Sequence, residues 1–162
     1  MAGTAPWWKN SRGEYYVIAQ GFLFLLVAAG PLLADTQVGS DDLRVPALAA
    51  GGILCALGGL LGLAGLSGLG RNLSALPHPK DDAELVETGP YRFVRHPIYC
   101  GLIIGAMGWG VAFRSVLTIG LALVLFVFFD IKSRREERWL MRKFPGYAAY
   151  RQRVHKLIPF IY

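Results

Sequence analysis

Two long apolar blocks constrain the fold of this chain more than any other feature of its sequence. They cover residues 15–34 and 45–69, and as helices each would reach across the roughly 30 Å hydrocarbon core of a bilayer. Two shorter apolar stretches, residues 97–113 and 115–131, follow and are separated by Arg114. A soluble chain would spread its apolar residues at a period of 2 or 3.6, so this blocked pattern indicates a polytopic membrane protein.

The composition agrees with a membrane location. Only 17% of the 162 residues are charged, and the mean hydropathy is +0.40, whereas soluble domains carry roughly 25% charged residues. We therefore predict one all-α integral membrane domain over residues 1–162, with four transmembrane segments of which the last two form a helical hairpin. A polar loop over residues 70–96 and an amphipathic tail over residues 132–162 complete the predicted fold.

A signal peptide is the alternative interpretation of the first block, because Lys9 and Arg12 precede it. However, its apolar region is longer than the 7–15 residues typical of signal peptides. In addition, Leu32 disrupts the pattern of small residues expected before a cleavage site near Ala34. We therefore expect the block to be retained as a helix.

The distribution of basic residues predicts the orientation. With four segments, the N-terminus, the loop and the tail share one side and hold 15 of the 17 Lys and Arg residues, while Arg44 and Arg114 fall on the other. The positive-inside rule then places both termini and the loop in the cytoplasm. This asymmetry, together with anionic membrane lipids, accounts for the net charge of +6, so we expect no nucleic-acid partner.

The stretch from residue 85 to 105 places polar side chains directly beside an apolar block. Arg95, His96 and Tyr99 lie where the loop enters the third apolar stretch. Such groups are costly at a membrane surface unless they have partners. This cost is the first indication of a functional site.

A pair of carboxylates is expected close to these residues. The hairpin returns the chain to the face it left, so Glu136 and Glu137 should lie on the same side of the membrane as Arg95. Adjacent helical residues diverge by about 100°, so one carboxylate could point into the helix cluster while the other pairs with a neighbouring arginine. The alternative is that the run over residues 134–138 is a solvated helix end whose glutamates are neutralised by its arginines.

Several common chemistries find no support in the sequence. No Cys or His cluster has the spacing of a metal site, so we expect no metal ion. No Walker or dinucleotide-binding glycine pattern follows a strand. A Ser-His-Asp triad stays open, although no local motif supports one.

Four segments of the sequence jointly resemble a known family: LVETGPYRFVRHPIYCG, RREERWL, KFPGYAAYRQRV and IPFI. Over roughly residues 68–162 the chain is similar to the integral membrane methyltransferases, which include isoprenylcysteine carboxyl methyltransferases and phospholipid methyltransferases. The resemblance implies methyl transfer from S-adenosylmethionine, with S-adenosylhomocysteine as product, in a cytoplasmic pocket built from loop, hairpin and tail. The acceptor would be lipophilic or amphiphilic, either isoprenylcysteine-carboxylate-like or lipid-like.

The resemblance also implies roles for individual residues. Arg95 and Glu137 would be catalytic, and the cofactor would be bound by Leu85, Val86, Tyr91, His96, Pro97, Tyr99, Gly101 and Glu136. Methyl transfer is an in-line displacement, so the protein mainly positions two reactants and excludes water. Arg95 could orient a carboxylate acceptor through charge-assisted hydrogen bonds. We predict that Arg95→Ala and Glu137→Ala each abolish turnover and leave expression intact.

Departures from the family pattern leave the acceptor open. Two predicted segments precede the RHPIY motif, fewer than in eukaryotic members, so less protein would enclose a prenyl tail; we expect a bacterial inner-membrane protein. One rival function is an NADPH-dependent sterol or steroid reductase, since those enzymes carry a comparable RHPxYxGE-like segment. Here Leu102 follows Gly101 in place of the acidic residue. The other rival is a non-enzymatic membrane scaffold, which only the glycine-rich second block supports.

Overall fold

The computed structural model describes residues 13–33, 38–159 and 161–162. Within these ranges the chain forms five α-helices: α1 Glu14–Leu33, α2 Arg44–Leu69, α3 Pro97–Ala112, α4 Val116–Lys143 and α5 Tyr147–Arg153. Short 3-10 turns lie at Asp41–Leu43, Gly70–Asn72 and Gly89–Arg92. The described residues form no strand beyond an isolated parallel bridge between Val94 and His155. The predicted all-α class is confirmed.

Three helices are long and apolar enough to cross a membrane, namely α1, α2 and α4, with 20, 26 and 28 residues. Helix α3 has 16 residues; at about 24 Å it is shorter than a hydrocarbon core. The four predicted transmembrane segments thus correspond to three long apolar helices and one shorter one. The segment predicted to end at residue 131 continues to Lys143. Ala34 and Phe160, which belong to the predicted first segment and tail, lie outside the described residues.

Glycines bring α2 and α3 into backbone contact. A methyl group added at Gly101 would lie 2.5 Å from the carbonyl oxygen of Gly58 and 2.7 Å from the amide nitrogen of Gly62. Small residues allow this close approach in lipid, where helices gain little from hydrophobic burial. Gly58 and Gly62, four residues apart in the glycine-rich second block, therefore form the surface of α2 on which α3 packs. Ala64 and Gly68, which form a similar pair in the sequence, are exposed.

A tight turn joins α3 to α4 and confirms the predicted hairpin. Arg114 has a left-handed backbone with φ 52°, and its guanidinium donates to the carbonyl of Ser40 at 2.7 Å. The hydroxyl of Ser115 caps α4 by accepting a hydrogen bond from the amide of Thr118 at 3.2 Å. Further along α4, Phe129 is fully buried in the core between α1, α3 and α4. The hairpin thus returns the chain to the level of the loop.

The C-terminal tail packs on the loop and on the end of α4. The helix breaks at Pro145-Gly146, and α5 follows. The rings of Tyr147 and Tyr150 on α5 are buried, and they pack against Leu85 of the loop and the end of α4. The aromatic face of the predicted amphipathic tail is thus covered by protein, while residues 151–153 are exposed.

Candidate functional site

Two acidic residues of α4 face the polar residues at the start of α3. The carboxylate of Glu137 accepts a hydrogen bond from Nε of Arg95 at 2.8 Å and lies 3.2 Å from Nε2 of His96. The carboxylate of Glu136 accepts from the hydroxyl of Tyr99 at 2.8 Å and lies 3.9 Å from Nδ1 of His96. The hairpin thus joins all five residues in one group, the polar cluster.

The polar cluster is withdrawn from solvent. The side chains of Arg95 and Glu137 are only 8% and 5% exposed. The ring of Tyr99 stacks between those of His96 and Phe129, with centroids 5.3 Å and 4.4 Å away. A buried charge is tolerated when it is paired and hydrogen-bonded, and here the pairing links α3 to α4.

Local sequence explains how His96 is placed. Pro97 occupies the first turn of α3, where its missing N–H costs nothing, and His96 precedes it as the N-cap residue. The residue before a proline favours extended backbone. The amides of Arg95 and His96 are therefore free to donate to the carbonyls of His155 and Lys156, at 2.8 and 3.2 Å. The C-terminal segment thus fixes the backbone of the RHP motif.

Arg95 joins three parts of the chain. Besides its bond to Glu137 of α4, its Nη1 donates to the carbonyl of Arg151 at 3.1 Å and to the carbonyl of Val154. Arg95 itself lies just before α3. One guanidinium therefore links three parts of the chain: the start of α3, Glu137 of α4 and the C-terminal segment.

Two cavities meet at the polar cluster. The loop-side cavity, of about 100 Å³, lies beneath loop 70–96 and against α5. The helix-side cavity, of about 310 Å³, lies among residues of α1, α2, α3 and α4. Both are bordered by Tyr91, Arg95, His96 and Glu136. These four residues therefore form a common wall against which two different ligands could meet.

A larger cavity of about 800 Å³ lies on the opposite side of the Arg95–Glu137 pair. Its lining is strongly basic and includes Arg134, Arg138, Arg151, Arg153 and Lys156. Nε of Arg151 lies 3.5 Å from the carboxylate of Glu137. The Arg95–Glu137 pair thus forms part of the partition between this basic cavity and the two smaller ones.

Comparison with known proteins places the chain in a family. The family model for phospholipid methyltransferases matches residues 46–146, more than half of the chain. The chain belongs to the integral membrane methyltransferase family. This confirms the resemblance drawn from the RHPIY and RREER segments.

Individual relatives carry two kinds of name. A protein-S-isoprenylcysteine O-methyltransferase of Schizosaccharomyces pombe is 35% identical over 94% of this chain and 70% of its own length. A probable protein-S-isoprenylcysteine O-methyltransferase of Oryza sativa is 40% identical over 52% of this chain and 45% of its own. The nickel-cobalt-cadmium resistance protein NccN of Alcaligenes xylosoxydans is 34% identical over 93% of this chain and 65% of its own.

A solved structure shares the fold. The structure of a eukaryotic intramembrane Ras methyltransferase, isoprenylcysteine carboxyl methyltransferase, matches with a TM-score of 0.68 and 25% identity. The match covers 93% of this chain and 54% of that one. The chain thus spans about half the length of that relative.

The structure divides the residues assigned by family resemblance into three groups. Those that line one or both smaller cavities are Leu85, Val86, Tyr91, Arg95, His96, Tyr99 and Glu136. Glu137 lines the basic cavity, and its carboxylate accepts a hydrogen bond from Nε of Arg95. Pro97 and Gly101 border neither smaller cavity; they pack against Gly65 and Gly58 of α2. Their assignment to the cofactor stays a prediction; in the structure both residues position α3 against α2.

Two features of the site were missed from the sequence. Lys132 is 2% exposed and lines the helix-side cavity, where its Nζ donates to Oε1 of Gln20 at 2.6 Å. Its position four residues before Glu136 on one helical face was an available signal. Tyr147 and Tyr150 line the loop-side cavity, and their spacing of three residues in the YAAY segment places both on one face of a helix.

Proposed function

We propose that this chain transfers a methyl group from S-adenosylmethionine to an anionic amphiphile at the cytoplasmic face of a membrane, with its termini and loop 70–96 in the cytoplasm. The observation that carries the proposal is the common wall of Tyr91, Arg95, His96 and Glu136 between two cavities. A transferase needs both reactants on one set of positioned side chains, away from water. The burial of the polar cluster supports this use.

The loop-side cavity is the side we assign to the cofactor. When bound, S-adenosylmethionine supplies a methyl group on a positively charged sulfur. The residues present fit such a ligand: Leu85 and Val86 offer apolar surface, and His96 and Glu136 offer polar atoms, the latter with negative charge. A volume of about 100 Å³ is below the roughly 300–1,000 Å³ of ordinary ligand pockets. We therefore expect loop 70–96 to move outward when the ligand binds.

The helix-side cavity is the side we assign to the acceptor head group. Lys132 brings a buried cation into it, and its two hydrogen-bond acceptors, Gln20 and the carbonyl of Ala75, are uncharged. Arg95 borders the same cavity. Arg95 is paired with Glu137, and the carboxylate of Glu136 borders the same cavity. Lys132, whose hydrogen-bond acceptors are uncharged, is therefore the cation that favours a carboxylate or another anionic head group over an amine. This charge distribution supports the carboxyl-methylating branch of the family.

An apolar groove supports a hydrocarbon tail on the acceptor. The groove, of about 590 Å³, runs along α3 between α1 and α2 and shares Leu66, Ile98 and Leu102 with the helix-side cavity. It reaches Trp109, whose indole N–H donates to the carbonyl of Ala28 at 3.3 Å and bridges α3 to α1. From Ile98 to Trp109 it follows about 17 Å of helix. A head group beside Lys132 would therefore place its chain in this groove.

Binding and turnover of the purified full-length chain in detergent test the proposal. We expect calorimetric binding of S-adenosylhomocysteine and transfer of a labelled methyl group to an S-prenylated N-acetylcysteine or a fatty acid, in preference to phosphatidylethanolamine. Binding of NADPH without binding of S-adenosylhomocysteine would instead support the reductase alternative. Methylation of phosphatidylethanolamine alone would exclude the anionic acceptor.

The groove is tested by filling it. A side-chain carbon added at Gly59 or Gly62 meets no atom within 4 Å, and both residues line the groove. Gly62→Leu should therefore raise the KM for long-chain acceptors and leave the affinity for S-adenosylhomocysteine unchanged. Gly52→Leu is the matched control, because Gly52 is equally unobstructed but lies outside the groove. Equal KM values in both variants would show that the chain lies elsewhere.

A further inference from the structure

The hydroxyl of Tyr147 stands out because it is buried and unsatisfied. Tyr147 is 1% exposed, and its ring packs with Tyr150 and Val154 of the same segment. Its hydroxyl has no hydrogen-bond partner among the residues that the structure describes. In that part of the chain, no other buried side-chain nitrogen or oxygen lacks a partner. Buried hydroxyls in native proteins are nearly always paired, since leaving one unpaired is costly.

The neighbouring tyrosines show that unpaired hydroxyls are not general here. The hydroxyl of Tyr150 donates to the carbonyl of Tyr91 at 2.6 Å. The hydroxyl of Tyr91 donates to the carbonyl of Gly65 at 3.2 Å. These phenols have structural partners within the fold, whereas Tyr147 lines the loop-side cavity without one. The difference indicates that the partner of Tyr147 comes from outside the part of the chain that the structure describes.

The surroundings of Tyr147 define what that partner can be. Burial and the nearby carboxylate of Glu137 raise the pKa of its hydroxyl far above the usual range, so the group stays protonated and can donate. Tyr147 borders the same cavity as Leu85, His96 and Glu136, which we assign to the cofactor. Its ring packs against Tyr150 of the same helix and Leu85 of the loop. The hydroxyl donor is therefore held in position before a ligand binds.

We propose that the Tyr147 hydroxyl donates a hydrogen bond to an acceptor oxygen or nitrogen of bound S-adenosylmethionine or S-adenosylhomocysteine. The inference rests on the proposed function and adds α5 to the cofactor site. It also gives the packing of α5 against the loop a purpose, because this packing fixes the direction of the donor. A buried water is the other partner that the cavity could hold.

Tyr147→Phe isolates the hydroxyl, and Tyr150→Phe is the comparison for stability on the same helix, because that hydroxyl has a protein partner. Affinity for S-adenosylhomocysteine is measured by calorimetry on the full chain in detergent, and unfolding midpoints are recorded with and without this ligand. We expect Tyr147→Phe to weaken binding about three- to tenfold, the range of one neutral hydrogen bond. Its ligand-free midpoint should be unchanged or higher, because no protein bond is lost. Tyr150→Phe should lower the ligand-free midpoint, because its bond to Tyr91 is lost.

Further arms separate the possible failures. If Tyr147→Phe binds S-adenosylhomocysteine as tightly as the wild type, the hydroxyl is hydrated and the inference is overturned. If the wild type does not bind this ligand at all, the proposed function fails, and the inference fails with it. Binding of 5′-methylthioadenosine, which lacks the amino-acid part, assigns the contact: an equal loss places it on the nucleoside, and an undiminished affinity places it on the amino acid. Should Tyr147→Phe be unstable, Tyr147→Leu, which also lacks a side-chain donor and adds no volume, must show at least the same loss.

Discussion

Breaking the Arg95–Glu137 ion pair should destabilise the folded protein by about 3–5 kcal/mol, because the remaining partner would be a buried charge. The two side chains are 8% and 5% exposed and 2.8 Å apart, so solvent screens neither. In Glu137→Leu, Arg95 keeps only the uncharged carbonyls of Arg151 and Val154. In Arg95→Met, Glu137 keeps His96 at 3.2 Å and the half-exposed Arg151 at 3.5 Å, while two carbonyls lose their donor.

The double variant separates the pair from its surroundings. Replacing a buried pair by apolar residues is often close to neutral, so Arg95→Met/Glu137→Leu should cost less than the two single changes added together, by about 1–3 kcal/mol. Denaturant unfolding in mixed micelles, followed by tryptophan fluorescence, measures the three free energies of unfolding. Methyl transfer should be lost in all three variants. Strict additivity would refute the coupling and, with it, the view that Arg95 is held in place by Glu137.

The burial of the ion pair changes what alanine variants at these positions can show. The sequence predicts that alanine at Arg95 or Glu137 abolishes turnover and leaves expression intact. In the structure, both residues bind α3, α4 and the C-terminal segment together. Loss of turnover in an alanine variant therefore does not separate catalysis from folding. Arg95→Lys, which keeps the positive charge but not the fork of donors, is the better catalytic probe.

Three further predictions test the assigned roles. Gly101→Ala should destabilise the protein by about 1–3 kcal/mol, because the new carbon meets α2 backbone, whereas Gly62→Ala should not, since it meets open space; thermal unfolding compares them. Lys132→Met should abolish the preference for anionic acceptors while S-adenosylhomocysteine still binds, as shown by turnover and calorimetry. Tyr150→Phe should increase protease cleavage within loop 70–96, because its anchor on Tyr91 is lost.

The sequence predicted those parts of the site that depend on helix order. Apolar blocks gave the helices, and the hairpin predicted that Glu136 and Glu137 would face Arg95, which the structure bears out. The divergence of adjacent residues on a helix also predicted different partners for the two carboxylates. The alternative of a solvated helix end does not hold for Glu137, which is 4% exposed. Glu136 and Glu137 bond Tyr99 and Arg95 of the polar cluster.

The parts that could not be predicted depend on backbone geometry. The amides of Arg95 and His96 bond to carbonyls some sixty residues later in the chain. Every residue carries a backbone carbonyl, so the pattern of side chains does not indicate which carbonyl is the partner. The same holds for the burial of α5. Its aromatic residues suit a headgroup surface and a protein core equally well, and only the path of loop 70–96 decides between them.

Gly101 shows that a match to a family motif predicts where a residue lies more securely than what that residue does. It lies within the RHPIYCG segment, and family resemblance therefore assigned it to the cofactor. Its backbone instead rests between Gly58 and Gly62 of α2. This contact sets the depth and rotation of α3, so it fixes where Tyr99, two residues earlier, meets Glu136. A glycine can thus be required at a motif position because the helix beneath the site must approach its neighbour.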